Sequence, residues 1–278
     1  MHPSRGAERM RLIEVQSVTF QHLLMEHRGR VSWVYLNRPH ALNAISYECM
    51  RELREAWLLL RDREETRVIV ISGKGRGFCA GADLTDAPSA GEATGPQAPF
   101  LEAGTRMEEV LLAMRKPVIA AVNGVCCGGG LELAMMCDFI IAAESAKIGD
   151  AHANFGALPG GGATVRLPRI VGVNWAKYLM YTGDLHPAAD MAAIGLVCKV
   201  VKDDALESEV QAIAEKIAGK SPLGLRRMKQ LIDDGLDMPA ALAMKMEKLV
   251  SAEHMRSNDA AEGGRAFKEK RKPEFRGD

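Results

Sequence analysis

PVIAAVNGVCCGGGLELAMMCD, residues 117–138, is the stretch whose reading decides the fold. The apolar run Pro117–Val122 predicts a buried strand, and Gly128, Gly129 and Gly130 predict a turn of bare backbone. The amphipathic segment after them predicts a helix with a carboxylate, Glu132, in its first turn. Consecutive glycines let a ligand approach the main chain, and the first N–H groups of a helix have no intrahelical partner. That order suits a site where negative charge is stabilised. It equally suits a close-packed turn followed by an acid that a helix N-terminus favours. The stretch alone leaves both readings open.

The surrounding chain narrows the classes. Its 278 residues, 47% hydrophobic and 26% charged, suffice for one large domain with an appendage. Lysine plus arginine equals aspartate plus glutamate, 36 each, so no global field points to nucleic acid or an anionic membrane. Six cysteines (Cys49, Cys79, Cys126, Cys127, Cys137, Cys198) have neither the density of a disulfide scaffold nor paired C-x-x-C zinc spacing. They read as reduced thiols in a cytoplasm, and no metal site is expected. No apolar run reaches the roughly 18 residues of a membrane span. The opening MHPSRGAERMRL lacks the apolar segment of a secretory signal and reads as a lead-in, residues 1–17.

Along the chain, Thr19–Glu26 and Val31–Leu36 predict a hairpin about His27–Arg30. Ser46 is a half-signalled cap, with Cys49 where a capping box has Glu. Met50, Leu53, Ala56, Trp57 and Leu60 nonetheless recur at helical spacing. Val68–Ile71 predicts a doubly buried strand leading into a second glycine-rich turn, Gly73–Asp83. That turn matches a G-x-G-x-x-A dinucleotide fingerprint in form only. The TDAPSAGEATGPQAP that follows, Thr85–Pro99, cannot run on as one helix, and no Walker A loop occurs. Thr85–Pro99 reads either as a lid or binding loop or as a tolerated surface excursion. Leu101–Met114 predicts a helix with Leu101, Met107, Val110, Leu111 and Met114 on one side.

Phe139–Ala142 predicts another strand. Asp150, His152 and Asn154 alternate after it, so an extended backbone would place them on one face. A satisfied structural His remains the competing reading. Helices are expected at Ala163–Val171, Asn174–Tyr181 and Leu185–Ala193, and a strand at Leu196–Val201. From about Asp203 only helical pattern remains: Ala205–Ala218, Pro222–Asp233, Pro239–His254 and Asp259–Lys270. The division is therefore an α/β core over 18–202 and an α-helical region over 203–278. The basic Lys268–Lys272 reads as a solvated end or an anion-contacting patch.

Three blocks, LNRPHALNAIS (Leu36–Ser46), GRGFCAGADL (Gly75–Leu84) and AAVNGVCCGGGLELAMMCD (Ala120–Asp138), closely resemble the crotonase superfamily of enoyl-CoA hydratases and isomerases. LPGGGATVRLPRIVG (Leu158–Gly172), YTGD (Tyr181–Asp184) and FKEKRKPEF (Phe267–Phe275) extend the resemblance from about Thr19 to the end of the chain.

The resemblance implies a spiral of ββα repeats whose C-terminal helices build trimers, often paired into hexamers. It implies acyl-CoA thioester chemistry, as in fatty acid metabolism, with coenzyme A entering as part of the substrate and no metal or redox cofactor. The thioester oxygen would be held by the backbone N–H groups of Ala80 and Gly129. Coenzyme A would contact Phe78, Ala80, Gly81, Ala82 and Asp83 and, in the oligomer, Phe267 and Lys270. Glu132 stands where hydratases carry their first catalytic glutamate. The second is replaced by His152, with Asp150 as its support. The expected activity is hydration, with Glu132 acting on water and His152 exchanging the other proton. Double-bond isomerisation, hydrolysis of a thioester or carbon–carbon bond by His152 with Asp150, and weakly catalytic acyl-CoA binding are the alternatives.

Overall fold

The computed structural model describes residues 19–85 and 99–278; the expected lead-in and most of the Thr85–Pro99 loop lie outside the described residues. Strands β1 (Leu23–Arg28) and β2 (Val31–Leu36) form the expected hairpin, pairing Leu23 with Leu36 and Arg28 with Val31. The first strand begins and ends later than its β-favouring run. Ser46 does cap the next helix, its hydroxyl accepting the Cys49 N–H at 3.2 Å. Such a cap contributes about 1 kcal/mol without help from a capping-box glutamate. Helix α1 (Tyr47–Asp62) then buries Cys49, Met50, Leu53, Ala56, Trp57 and Leu60, the face its spacing predicts.

From β3 onward the chain repeats one pattern: a longer strand, a short strand, then a helix. β3 (Val68–Gly73) and β4 (Gly77–Cys79) precede α2 (Pro99–Leu112). β5 (Val118–Val122) and β6 (Val125–Cys127) precede α3 (Gly129–Met135). β7 (Phe139–Ala143) and β8 (Lys147–Gly149) precede α4 (Ala163–Val171). The longer strands join a six-stranded sheet in the order β1-β2-β3-β5-β7, completed after β7 by β10 (Lys199–Val201) and parallel from β2 on, while the short strands β4-β6-β8, followed by β9 (His186–Pro187), form a second sheet. This is the expected ββα spiral. β6 is the one element of the deciding stretch that its residues do not announce, because three residues are too few to carry a period.

The turn of the spiral is closed by α5 (Val173–Thr182), β9 (His186–Pro187), α6 (Ala188–Ala193) and β10 (Lys199–Val201). β10 is shorter than the apolar run predicting it. Both faces of the large sheet are covered. Val34, Leu36, Ile69 and Ile71 pack with α1 and α2 residues on one side, and Val31, Trp33, Tyr35, Val68 and Val70 meet Leu206, Val210 and Ala214 of α7 (Leu206–Ala218) on the other. The change in chain character at 203 is thus no break in packing. Leu101 departs from the expected α2 face: Met107, Leu111 and Met114 are buried, whereas Leu101 is half exposed.

Helices α8 (Pro222–Gly235), α9 (Ala240–His254) and α10 (Asn258–Lys268) follow, and α9 buries none of its residues within the chain. The end of the chain folds back onto α10 and α8. Asp259 accepts the Ser221 hydroxyl at 2.5 Å and the Arg276 and Gly277 N–H groups, and Arg67 donates to the Phe275 carbonyl at 2.7 Å. Among the described residues no helix is long and apolar enough to cross a membrane.

Candidate active site

The two glycine-rich turns meet. A Cβ on Gly130 would lie 2.2 Å from the Cys79 carbonyl oxygen, so only glycine lets the start of α3 approach β4 this closely. Gly81, at φ 103°, faces the same turn less tightly: a Cβ there would stand 3.3 Å from the Gly129 nitrogen. The sequence motif and the backbone contact are the same fact seen twice.

Which N–H groups are free differs from the expectation. Ala80 does not offer one, because its N–H donates to the Leu42 carbonyl at 3.0 Å. That carbonyl is fixed by a left-handed pair, Leu42 at φ 49° and Asn43 at φ 58°. The buried Asn43 amide locks the pair by accepting the Arg38 N–H and donating to the Lys74 and Gly77 carbonyls. Two residues on, Ile45 donates to the Gly81 carbonyl and accepts the Asp83 N–H, at 2.8 and 2.9 Å. In such a parallel pairing the intervening residue turns its own N–H the other way. Ala82 therefore points its N–H away from Ile45, on the side where a Cβ on Gly129 would lie 3.4 Å from the Ala82 nitrogen. Gly129 opens α3, so its own N–H has no intrahelical acceptor. Among the described residues, no acceptor meets either N–H. The free donor pair is Ala82 and Gly129, which corrects Ala80.

Two further expectations change. Phe78 is fully buried in the hydrophobic core, so its ring cannot lie against coenzyme A. Asp83 is occupied: the Thr85 hydroxyl and Arg38, whose guanidinium is 2.8 Å away, hold its carboxyl below the usual carboxylate range. Phe267 is 85% exposed and Lys270 stands at φ 54° just beyond α10. Nothing within the chain joins either of them to the glycine turns among the described residues.

Glu132 is buried in the first turn of α3. Its Oε1 accepts the Gly161 and Ala163 N–H groups at 2.8 and 3.0 Å, leaving Oε2 free toward His152, whose Nε2 is 3.7 Å away. Burial raises its pKa, opposed by the Ala163 hydrogen bond, the His152 charge and the Gly161 hydrogen bond. The carboxylate is thus aimed by backbone, and the PGGG run at Pro159–Gly162, singled out only as a family match, is what aims it.

His152 begins a short 3-10 turn, His152–Phe155, entered through Ala151 at φ 61°. Its Nδ1 lies 3.0 Å from Asp150 Oδ1, so an Nδ1–H donates to the carboxylate, and that hydrogen bond raises the imidazole pKa. Asp150 is 1% exposed, and its Oδ2 has no partner among the described residues. The 3-10 turn breaks the expected alternation. Asn154 leaves the site and donates to the Gly183 carbonyl at 2.8 Å. An apolar cavity of about 450 Å³ between α4 and α5 reaches this group only at Asp150 and His152.

One residue of the site was not foreseen. Glu108 of α2 is half-buried, and its carboxylate has no hydrogen-bond partner among the described residues. Burial, then the charge of Glu132, raises its pKa to about 7. Its only sequence signal is position, one residue after buried Met107 and three before buried Leu111.

The family model described as Enoyl-CoA hydratase/isomerase matches residues 26–278. The chain is 38% identical over 259 residues to a Crotonyl-CoA hydratase of Syntrophomonas wolfei, covering 93% of this chain and 99% of that protein. It is 36% identical to an Enoyl-CoA hydratase, mitochondrial, of Pongo abelii, covering 92% and 88%. Among solved structures it resembles an Enoyl-CoA hydratase from Bacillus anthracis with a TM-score of 0.88 at 36% identity, covering 93% of this chain and 100% of that one.

Proposed function

The chain belongs to the enoyl-CoA hydratase/isomerase family, and on that premise we propose that it adds water across the 2,3 double bond of an enoyl-CoA thioester. The observation that carries the reading is the facing pair of unpaired N–H groups, Ala82 and Gly129, one helical turn from an aimed carboxylate, Glu132. The thioester oxygen sits between the two donors and gains negative charge as water adds at C3. Both donors are fixed by the fold before substrate arrives, so their stabilisation of the enolate needs no reorganisation. The N-terminal end of α3 adds its positive dipole at the same place.

Glu132 Oε2 takes a proton from the attacking water while Oε1 stays held by Gly161 and Ala163. His152, whose imidazole pKa the Asp150 hydrogen bond raises, faces Glu132 Oε2 through Nε2 and favours the anionic form of that carboxyl. A second reading has its own observation: the Asp150–His152 contact at 3.0 Å is also the orienting half of a hydrolytic dyad. The deciding experiment is a panel of enoyl-, hydroxyacyl- and β-ketoacyl-CoA thioesters followed by mass spectrometry. Hydration gives a mass gain of one water with the thioester intact; free thiol without that product excludes the hydratase reading.

Coenzyme A binds along residues 80–82, and Phe267 and Lys270 of a neighbouring subunit complete its site. The exposed Met228 and Ile232 of α8, Leu236 just beyond it, and Met244 and Leu249 of α9 support a trimer, alone or paired as a hexamer, built on the helical region. Sedimentation of the full chain distinguishes the two. Six free thiols favour the cytoplasm. Cell fractionation tests that against a mitochondrial address, such as one relative's name carries.

A further inference from the structure

We infer that Glu108 is a catalytic residue, the carboxylic acid that protonates C2 of the substrate opposite Glu132. This rests on the hydratase reading and supplies what that reading lacks. Addition of water needs one group to take a proton from water and another to give one to carbon, and the position that resembles the family's second glutamate holds His152. The imidazole is committed on both sides, its Nδ1 to Asp150 at 3.0 Å and its Nε2 facing Glu132 at 3.7 Å.

The geometry comes from Gly161. A Cβ on this residue would lie 3.0 Å from Glu132 Oε2 and 3.1 Å from Glu108 Oε1. Two carboxylates from different helices, α3 and α2, thus converge on one point, and that point is empty only because residue 161 has no side chain. The converging oxygen of Glu132 is Oε2, the one no backbone N–H holds. Glu108 has no hydrogen-bond partner of its own among the described residues. A half-buried carboxyl left unpaired beside a second one is unfavourable in a resting protein unless one of the two keeps its proton. Burial and the Glu132 charge raise the Glu108 pKa to about 7, against the nearby Arg166; burial raises Glu132 as well, but there two N–H donors and His152 oppose it. Environments that separate two carboxyls in this way assign one as acid and the other as base.

The step balances without a co-reactant. The Glu132 carboxylate takes a proton from water as the water oxygen bonds to C3, and the π pair moves toward the thioester oxygen held by Ala82 and Gly129. The enolate then takes the proton of Glu108 at C2, leaving Glu108 as carboxylate. Exchange with solvent returns a proton to Glu108 and removes one from Glu132.

The test uses the full chain, with crotonyl-CoA for hydration and butyryl-CoA in D₂O for exchange at C2. Glu108→Gln is expected to lower kcat about 100-fold while KM stays within about threefold. It should also abolish deuterium uptake at C2, and Glu108→Asp should recover part of both. A kcat within threefold of the parent, or a change in KM alone, makes Glu108 a wall of the pocket and overturns the assignment. If the parent protein hydrates no enoyl thioester yet exchanges C2 deuterium, and only Glu108→Gln stops that exchange, the hydratase reading falls and Glu108 stands. If neither protein exchanges or hydrates, both fall.

Discussion

Two groups of carboxylates, one in the middle of this chain and one near its C-terminal end, are treated in opposite ways. Asp259 and Glu262 sit in α10 and are saturated: Asp259 by Ser221, Arg276 and Gly277, Glu262 by Arg265, Arg271 and the Glu274 N–H. Hydrogen bonding holds both below the usual carboxylate range. Glu132 and Glu108 are under-supplied, and burial pushes both upward. The first pair secures a chain end and the second pair stores the capacity to move protons. A protein can use identical acids for stability or for reactivity by changing only how many donors reach them.

The largest effect that separates the groups is on turnover. Glu132→Gln keeps the shape and the Gly161 and Ala163 hydrogen bonds but removes the base, so kcat should fall about 10³-fold. The melting temperature should stay within about 2 °C of the parent, because no saturated network is lost. A variant that still turns over at the parental rate would take Glu132 out of the chemistry. Asp259→Ala should do the reverse, costing about 2 kcal/mol of stability through stranded donors at the chain end while kcat is unchanged. Chemical denaturation and steady-state kinetics on the same preparation read both; equal losses in the two measurements would erase the distinction.

The smallest effect is on the pH dependence of stability, where the two groups have opposite signs. The folded-state pKa values of Asp259 and Glu262 are depressed, so the stability they contribute is present above their unfolded values, near 4. It is lost as pH falls through the folded ones. Glu108 is raised to about 7. Between about pH 4.3 and that value the unfolded chain releases a proton that the folded chain keeps, so stability falls as pH rises. Glu108→Gln should flatten this neutral slope of the urea midpoint and leave the acid limb as it was. A neutral slope that survives the substitution would assign it to another group.

How much of this was legible depended on whether the information was local. The longer strands, α1 and the helices from 206 onward follow from periodicity, because each element's apolar spacing is complete within itself; the ββα spiral that joins them came only from the family resemblance, since its three-residue strands carry no period. Glu132 was legible from its place after three glycines, and His152 with Asp150 from proximity in the chain. Ala82 was not separable from Ala80 by sequence. The two alanines flank the same glycine, and only the Leu42 carbonyl and the pairing with Ile45 decide which N–H is spent. Glu108 was hidden for the opposite reason: its partner is on another helix, and what brings them together is a missing side chain at Gly161. Asn154 was misplaced because alternation implies a shared face only while the backbone stays extended, and Ala151 ends that.

The alternation of donors along residues 80–83 has a consequence in time as well as in space. Ala80 and Asp83 have their N–H protons locked onto the Leu42 and Ile45 carbonyls, whereas Ala82 between them has none to give its proton to. Site-resolved amide exchange should therefore show a one-residue gap: slow at Ala80, fast at Ala82, slow again at Asp83. An acyl-CoA analogue that fills the hole should close that gap while leaving its neighbours unchanged. The ligand would then be recorded as the missing partner of a single proton.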